Sequence, residues 1–285
     1  MPASTDPRDG FVFGATGQKY VNLARRAARN LRAMNPDKAI DLFTDREVDD
    51  PIFDKVHQVE INNTRPKMEA ILKSRFERTV YLDCDVIAVA PAPELFEILD
   101  RFEFAGCFEQ YGNAPITFMD AAKDIPISFR QINGGVLCVR RTERSTEFFK
   151  TWQRRFIKEK RDYDQPLLRE MLYYGDLNYT VLPSEYNLMH LPYMANSSHR
   201  MLAPRFLHIT RLHSNDEWSQ TPEEPFDPQD LMGGPAFAGM NARIEGDRSL
   251  GGKTSLRDRA GVNIRKLPGG KKIAKKFSGK FGFIK

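Results

Sequence analysis

The chain has 285 residues, of which 41% are hydrophobic, 28% charged and 11% aromatic. That length suits one large domain or two small ones, and the apolar share excludes collagen-like, fibrous and wholly disordered chains. The chain carries 43 Lys and Arg against 38 Asp and Glu, and its longest apolar runs, such as 86–93, fall far short of the roughly 20 residues of a membrane-spanning helix. The opening MPASTDPRDG has neither a basic n-region nor an apolar h-region, so no secretory signal is expected.

The charge is unevenly placed. Residues 251–285 hold 11 Lys and Arg and one acid, a net of +10, which leaves residues 1–250 at −5. The basicity therefore belongs to the tail and gives no support for nucleic-acid binding by the body. Cys84, Cys107 and Cys138 are odd in number, form no CxxC and sit in strand-like runs. They read as buried thiols in a reducing, cytoplasmic setting.

In chain order, GFVFGAT (10–16) is a short apolar strand ended by small residues. A helix follows with Tyr20, Leu23, Ala24, Ala27, Ala28 and Leu31 on one face, stopped by Pro36. Strands are expected at 39–45 and 56–61, then a helix over 67–76 with Met68, Ile71 and Leu72 inward. TVYLDCDVIAV (79–89) is the strongest strand pattern in the chain. Pro91 and Pro93 precede a short helix with Leu95, Phe96, Ile98 and Leu99. Strands at 102–108 and 131–140 come next. A long amphipathic helix spans 142–160 with Phe148, Phe149, Trp152, Phe156 and Ile157 inward, and another starts at an N-capping Asp164 and runs to about Tyr174. Strands at 179–182 and 206–209 close the series. Alternating strands and helices imply an α/β sandwich with a largely parallel sheet, whose ligands bind at the carboxyl ends of the strands.

Glycine marks a boundary, with 8 of 19 in residues 1–212 and 11 in 213–285. One domain is expected over 1–213, a Pro/Gly-rich irregular extension over 214–252, and a basic tail over 253–285. The tail mixes lysines with Ile273, Phe277, Phe281, Phe283 and Ile284, a composition suited either to a solvated appendage or to docking on anionic lipid.

YLDCDV (81–86) carries the chemistry. Asp83 and Asp85 end a hydrophobic strand, and period-2 geometry turns both to one side. Paired carboxylates at a sheet's carboxyl edge suit Mg²⁺ or Mn²⁺ bridging to phosphate oxygens. A turn cap, or pairing with basic neighbours, is the alternative reading.

The run KMEAILKSRFERTVYLDCDVIAVAPAPELF (67–96) resembles the core of GT-A fold glycosyltransferases, particularly the glycogenin-like and lipopolysaccharide galactosyltransferase-like group of family 8 type. Five further blocks resemble the family in the right order: FVFGATGQKYVNLA (11–24), INGGVLCVRR (132–141), YDQPLLREML (163–172), LPSEYNL (182–188) and FLHIT (206–210). The resemblance covers about residues 10–213 and implies a mixed, mostly parallel GT-A sheet flanked by helices. It implies transfer of a sugar from a UDP-sugar to an acceptor hydroxyl, with retention and with Mn²⁺ or Mg²⁺ as cofactor. Asp83, Asp85 and His208 would hold the ion, with His213 a nearby competitor. Ala15, Thr16 and Tyr20 would hold base and ribose. Cys84, between the two metal aspartates, would join them in the donor site, Lys67 would face phosphate and sugar, and Asn133, Gly134, Gly135 and Asn187 would line the sugar pocket. Asp164 and Gln165 would act at the reacting carbon.

The resemblance breaks after His208. HITRLHSNDEW (208–218) lacks the Gly and Lys with which the lipopolysaccharide group binds diphosphate, leaving Arg211 or a tail lysine as the available cation. The match therefore leans toward the broader nucleotide-diphospho-sugar transferase group. A sugar-nucleotide pyrophosphorylase would want a richer Gly-, Arg- and Lys-bearing loop than GATGQKY (14–20), and a non-enzymatic membrane or nucleic-acid adaptor working through the tail leaves the ordered blocks unexplained.

Overall fold

A computed structural model describes residues 7–60, 65–118, 124–196 and 201–252. The basic tail and its lipid docking, together with His199, lie outside the described residues. The elements run β1 (Asp9–Ala15), α1 (Gln18–Met34), β2 (Ala39–Thr44), β3 (Lys55–Gln58), α2 (Lys67–Lys73), β4 (Arg78–Leu82), β5 (Val86–Ala88), α3 (Glu94–Glu97), β6 (Phe104–Phe108), β7 (Ile132–Arg140), α4 (Glu143–Lys158), α5 (Asp164–Tyr174), β8 (Tyr179–Leu182), β9 (Phe206–His208), α6 (Pro228–Leu231) and α7 (Gly234–Gly246).

Seven strands form one sheet in the order β3-β2-β1-β4-β7-β6-β8. All run parallel except β7, which is antiparallel to both β4 and β6. This is the mixed, mostly parallel α/β sheet expected from the sequence. Its central strands are apolar on both faces because both faces are covered. On β1, Phe11, Phe13 and Ala15 enter the core under α1, while Val12 enters the core with Phe149 and Trp152 of α4. On β4 the same alternation sends Val80 and Leu82 one way and Tyr81 the other. A small sheet pairs β5 antiparallel to β9 at the carboxyl edge.

Three sequence expectations change. The run 79–89 is two strands in two sheets, broken by a turn at 83–85 in which the Val86 N–H donates to the Asp83 carbonyl at 3.0 Å. Tyr20 and Ile157 are 40% and 47% exposed, outside the cores to which their helical spacing assigned them. Asp164 is the first residue of α5, not its cap; Tyr163 precedes it in extended backbone and makes no side-chain cap. The long helix α4 does begin with a reciprocal capping box between Thr142 and Ser145, which satisfies two otherwise orphaned N–H groups.

The segment 214–252, expected to be irregular, is largely helical: short single-turn helices at Asp216–Ser219, Pro228–Leu231 and Arg248–Leu250 accompany the 13-residue helix α7, entered through Pro235 in its first turn. Glycine count hid this helix, because Ala236, Met240 and Arg243 are buried and tertiary contact outweighs propensity. Phe226, Leu231, Met232, Ala236 and Met240 share the core that lies under α1. Arg26 on α1 donates to the carbonyls of Trp218, Glu224 and Pro225. No helix among the described residues is long and apolar enough to cross a membrane.

Candidate active site

The site lies where β4 ends. Because β7 runs against β4, its early residues Asn133–Gly135 lie beside the carboxyl end of β4, and the Asp83 N–H donates to the Gly135 carbonyl at 2.9 Å. The turn at 83–85 brings the two aspartates together in place of the expected strand alternation. One oxygen each of Asp83 and Asp85 and one ring nitrogen of His208 lie within 4.8 Å of one another.

The two aspartates have different surroundings. Asp83 accepts from the Tyr81 hydroxyl at 2.7 Å and lies 3.3 Å from Lys67 Nζ. Asp85 is buried, with Oδ2 3.3 Å from His208 Nε2 and 3.4 Å from His213 Nε2. Neither Asp85 oxygen receives an aligned hydrogen bond among the described residues. Burial pushes the Asp85 carboxyl up, but the facing imidazoles, His208 first, outweigh this and hold it at about 2. Burial likewise pulls the His208 imidazole down, and Asp85 opposite raises it above the ordinary histidine value. Two imidazoles aimed at a buried carboxylate that no hydrogen bond satisfies form a site suited to a cation.

A second buried group adjoins it. Lys67 Nζ lies 3.2 Å from Asp164 Oδ2 and donates to the Gly134 carbonyl at 3.1 Å. Burial alone would lower the Lys67 ammonium, but Asp164 and Asp83 outweigh it and raise its pKa, so it is a charged lysine. Burial would raise the Asp164 carboxyl, and Lys67 and Arg65 turn the shift downward. Asp164 is held from behind by the Trp152 indole, which donates to its carbonyl at 3.2 Å. Gln165 accepts from the buried Gln131 at 3.2 Å.

The glycines of β7 have a packing reason. A Cβ on Gly134 would sit 2.6 Å from Lys67 Nζ, and one on Gly135 would sit 2.5 Å from the His208 ring. The pair also lies where β7 slips against β6, between the matches Gly106↔Leu137 and Phe108↔Ile132. Asn133 and Asn187 reach the site, but both amides are buried and bonded within the protein. Ala15 is buried at the end of β1, and Thr16 follows at the edge. The exposed Tyr20 ring meets His213 edge-on at 5.3 Å, and His213 Nε2 lies 3.8 Å from Cys84 Sγ. Arg211 donates to the Leu231 carbonyl at 2.5 Å, on the wall of a cavity it shares with His208.

Sequence reasoning missed Glu109 and Tyr81. Glu109 is buried and accepts from Asn133 Nδ2 at 2.6 Å. The available signal was the one that exposed Asp83: an acid directly after an apolar strand, here β6, which runs parallel to β4. Of the remaining histidines, His57 belongs elsewhere, 3.0 Å from Asp41 in a structural ion cluster.

Residues 43–223, more than half of the chain, match the sequence profile of the nucleotide-diphospho-sugar transferases. No protein of curated function matches the chain. Among solved structures, the apo form of the glycosyltransferase GlyE of Streptococcus pneumoniae TIGR4 superposes with TM-score 0.53 at 16% identity, over 84% of this chain and 60% of GlyE. A second GlyE structure gives 0.51 at 17% identity, over 71% of this chain and 54% of that one. LgtC, solved with donor and acceptor sugar analogues, is at 0.48 and 15% identity, over 88% and 99%. The chain thus spans just over half the length of GlyE, and the GlyE likeness shows a shared fold. The matched family is one of nucleotide-diphospho-sugar transferases, which consume such sugars as donors, whereas a pyrophosphorylase makes them; this sets the pyrophosphorylase alternative aside. By its sequence over residues 43–223 the chain belongs to the nucleotide-diphospho-sugar transferase family.

Proposed function

We propose that the chain is a glycosyltransferase that moves a sugar from a UDP-sugar to an acceptor hydroxyl, with Mn²⁺ or Mg²⁺ held by Asp83, Asp85 and His208. The observation that carries this reading is Asp85, buried, with neither oxygen hydrogen-bonded and with a second carboxylate and an imidazole converging on it. Two carboxylates and one imidazole, completed by phosphate oxygens, fit those ions. When bound, the ion would offset charge on the departing diphosphate.

The other roles follow from position. Lys67 brings a retained positive charge to the donor phosphates and anchors Asp164. Ala15, Thr16 and Tyr20 form the edge where base and ribose would lie, with Tyr20 free to stack. Gln165 and Asp164 face the reacting carbon. Asp164 is tied to Lys67 and Arg65 and stabilises positive charge there, not as a covalent nucleophile, which favours front-face transfer with retention. The acceptor would enter by a cleft of about 480 Å³ beside His208, whose walls include Met189, Leu191, Leu231 and Met232. That apolar lining suits an acceptor with an apolar portion, such as a lipid-linked glycan of the cell envelope. The basic tail would hold the enzyme at an anionic membrane surface on the cytoplasmic side.

The test is UDP release from a panel of UDP-sugars with Mn²⁺ added or chelated. Release is expected only with metal, and an Asp83→Asn, Asp85→Asn double variant is expected to lose it. Undiminished release by that variant would overturn the metal role.

A further inference from the structure

The side-chain amides behind the ion site form a chain with one direction. The Asn133 Oδ1 accepts from the backbone N–H of Gly135 at 2.8 Å, and its Nδ2 faces Glu109 Oε2 at 2.6 Å. A backbone N–H can only donate and a carboxylate accepts, so two independent partners set the same orientation of the Asn133 amide. Asn187 lies 2.8 Å from that Asn133 oxygen, so it must present its NH₂ there. Its own oxygen is then the atom turned to His208 Nδ1, 3.0 Å away. An amide oxygen can only accept, so His208 carries a proton on Nδ1. The ring's other nitrogen, Nε2, is the one that faces Asp85 at 3.3 Å.

We propose that this relay, Glu109 to Asn133 to Asn187 to His208, sets the histidine tautomer so that the Nε2 lone pair is presented to the ion, with Asn187 as the direct positioning residue and Glu109 as the anchor. The inference rests on the ion site proposed above. Every member is buried, which keeps water from competing for the amides. It also explains why Asn appears twice in apolar surroundings: only a group with an acceptor on one side and a donor on the other transmits a direction. A His208 ring free to exchange tautomers would offer the ion an N–H as readily as a lone pair. Outer partners of this kind commonly account for tenfold to hundredfold in metal affinity.

The test is Mn²⁺ titration calorimetry on the full-length protein with UDP present, with the melting temperature of each metal-free variant measured alongside. Asn187→Leu is expected to weaken Mn²⁺ by about tenfold to hundredfold. Glu109→Leu is expected to weaken Mn²⁺ less than Asn187→Leu, because the Gly135 N–H still orients Asn133. Glu109→Gln, which keeps an acceptor, stays near native. Should Asn187→Leu fail to fold, the Glu109→Leu and Glu109→Gln pair decides the question. A merely structural role would lower melting temperatures and leave the affinity of the folded protein unchanged, and native affinity in Asn187→Leu overturns the relay. Native affinity in Asp85→Asn would instead overturn the ion site itself, and the relay with it.

Discussion

Gly135 carries a severe constraint. A methyl group there would meet the His208 ring at 2.5 Å, and that ring is held by Asn187 and cannot swing aside. Gly135→Ala is expected to cost about 2 kcal/mol and to weaken Mn²⁺ at least tenfold, read by thermal unfolding and calorimetry. Gly134 is crowded by the end of a lysine, 2.6 Å away, and a lysine end can shift. Moving it takes Nζ from Asp83 and Asp164, so Gly134→Ala should lower turnover more than it lowers stability. Lys67 itself is the buried cation of the site. Lys67→Met leaves the buried Asp164 with only Arg65, 3.7 Å away, as its charge partner among the described residues, and is expected to destabilise by about 3 kcal/mol. The same variant should slow UDP release by about a hundredfold, measured at saturating donor.

Elements far apart in the chain are joined to the site body by polar clamps. Asn30 on α1 donates to the Phe226 carbonyl and accepts from the Phe226 N–H, both at 2.9 Å. Asn30→Ala strands both backbone groups and should cost about 2 kcal/mol in denaturant unfolding. At the other end, Arg205 just before β9 joins Glu94 of α3 at 3.0 Å and Asp247 after α7 at 3.1 Å. Burial pushes the Asp247 carboxyl up, but Ser249, the Ala203 N–H and Arg205 together bring it from 3.8 to about 2. A carboxyl depressed in the folded state stabilises above its unfolded value and loses that contribution as pH falls through the folded value. Asp247→Asn should therefore cost about 2 kcal/mol at neutral pH, and the gap to the native protein should close between about pH 4 and pH 2. Unfolding curves across that range check it. Element positions were largely legible, because apolar periodicity is local. Helix α7 was not, since its glycines argue against a helix and only burial of Ala236, Met240 and Arg243 argues for one.

For the whole molecule, the charge split separates chemistry from placement. The proposed ion site draws on residues from Lys67 to His208, inside an acidic body, while the net +10 lies beyond residue 250. Deleting 265–285 is expected to leave Mn²⁺ affinity unchanged and to reduce pelleting with anionic vesicles at low salt; equal pelleting would remove the membrane role. The sequence by itself determined the α/β class, the strand that ends in Asp83 and the histidine on the last strand, because those depend on local periodicity and on ordered blocks along one chain. Only the tertiary structure decided which groups work together. The reversal of β7 laid Asn133–Gly135 against the end of β4, a turn rather than strand alternation converged the aspartates, and Glu109 reached His208 through two amides. Those pairings depend on strand order and direction, which no pattern of nearest neighbours along the chain encodes.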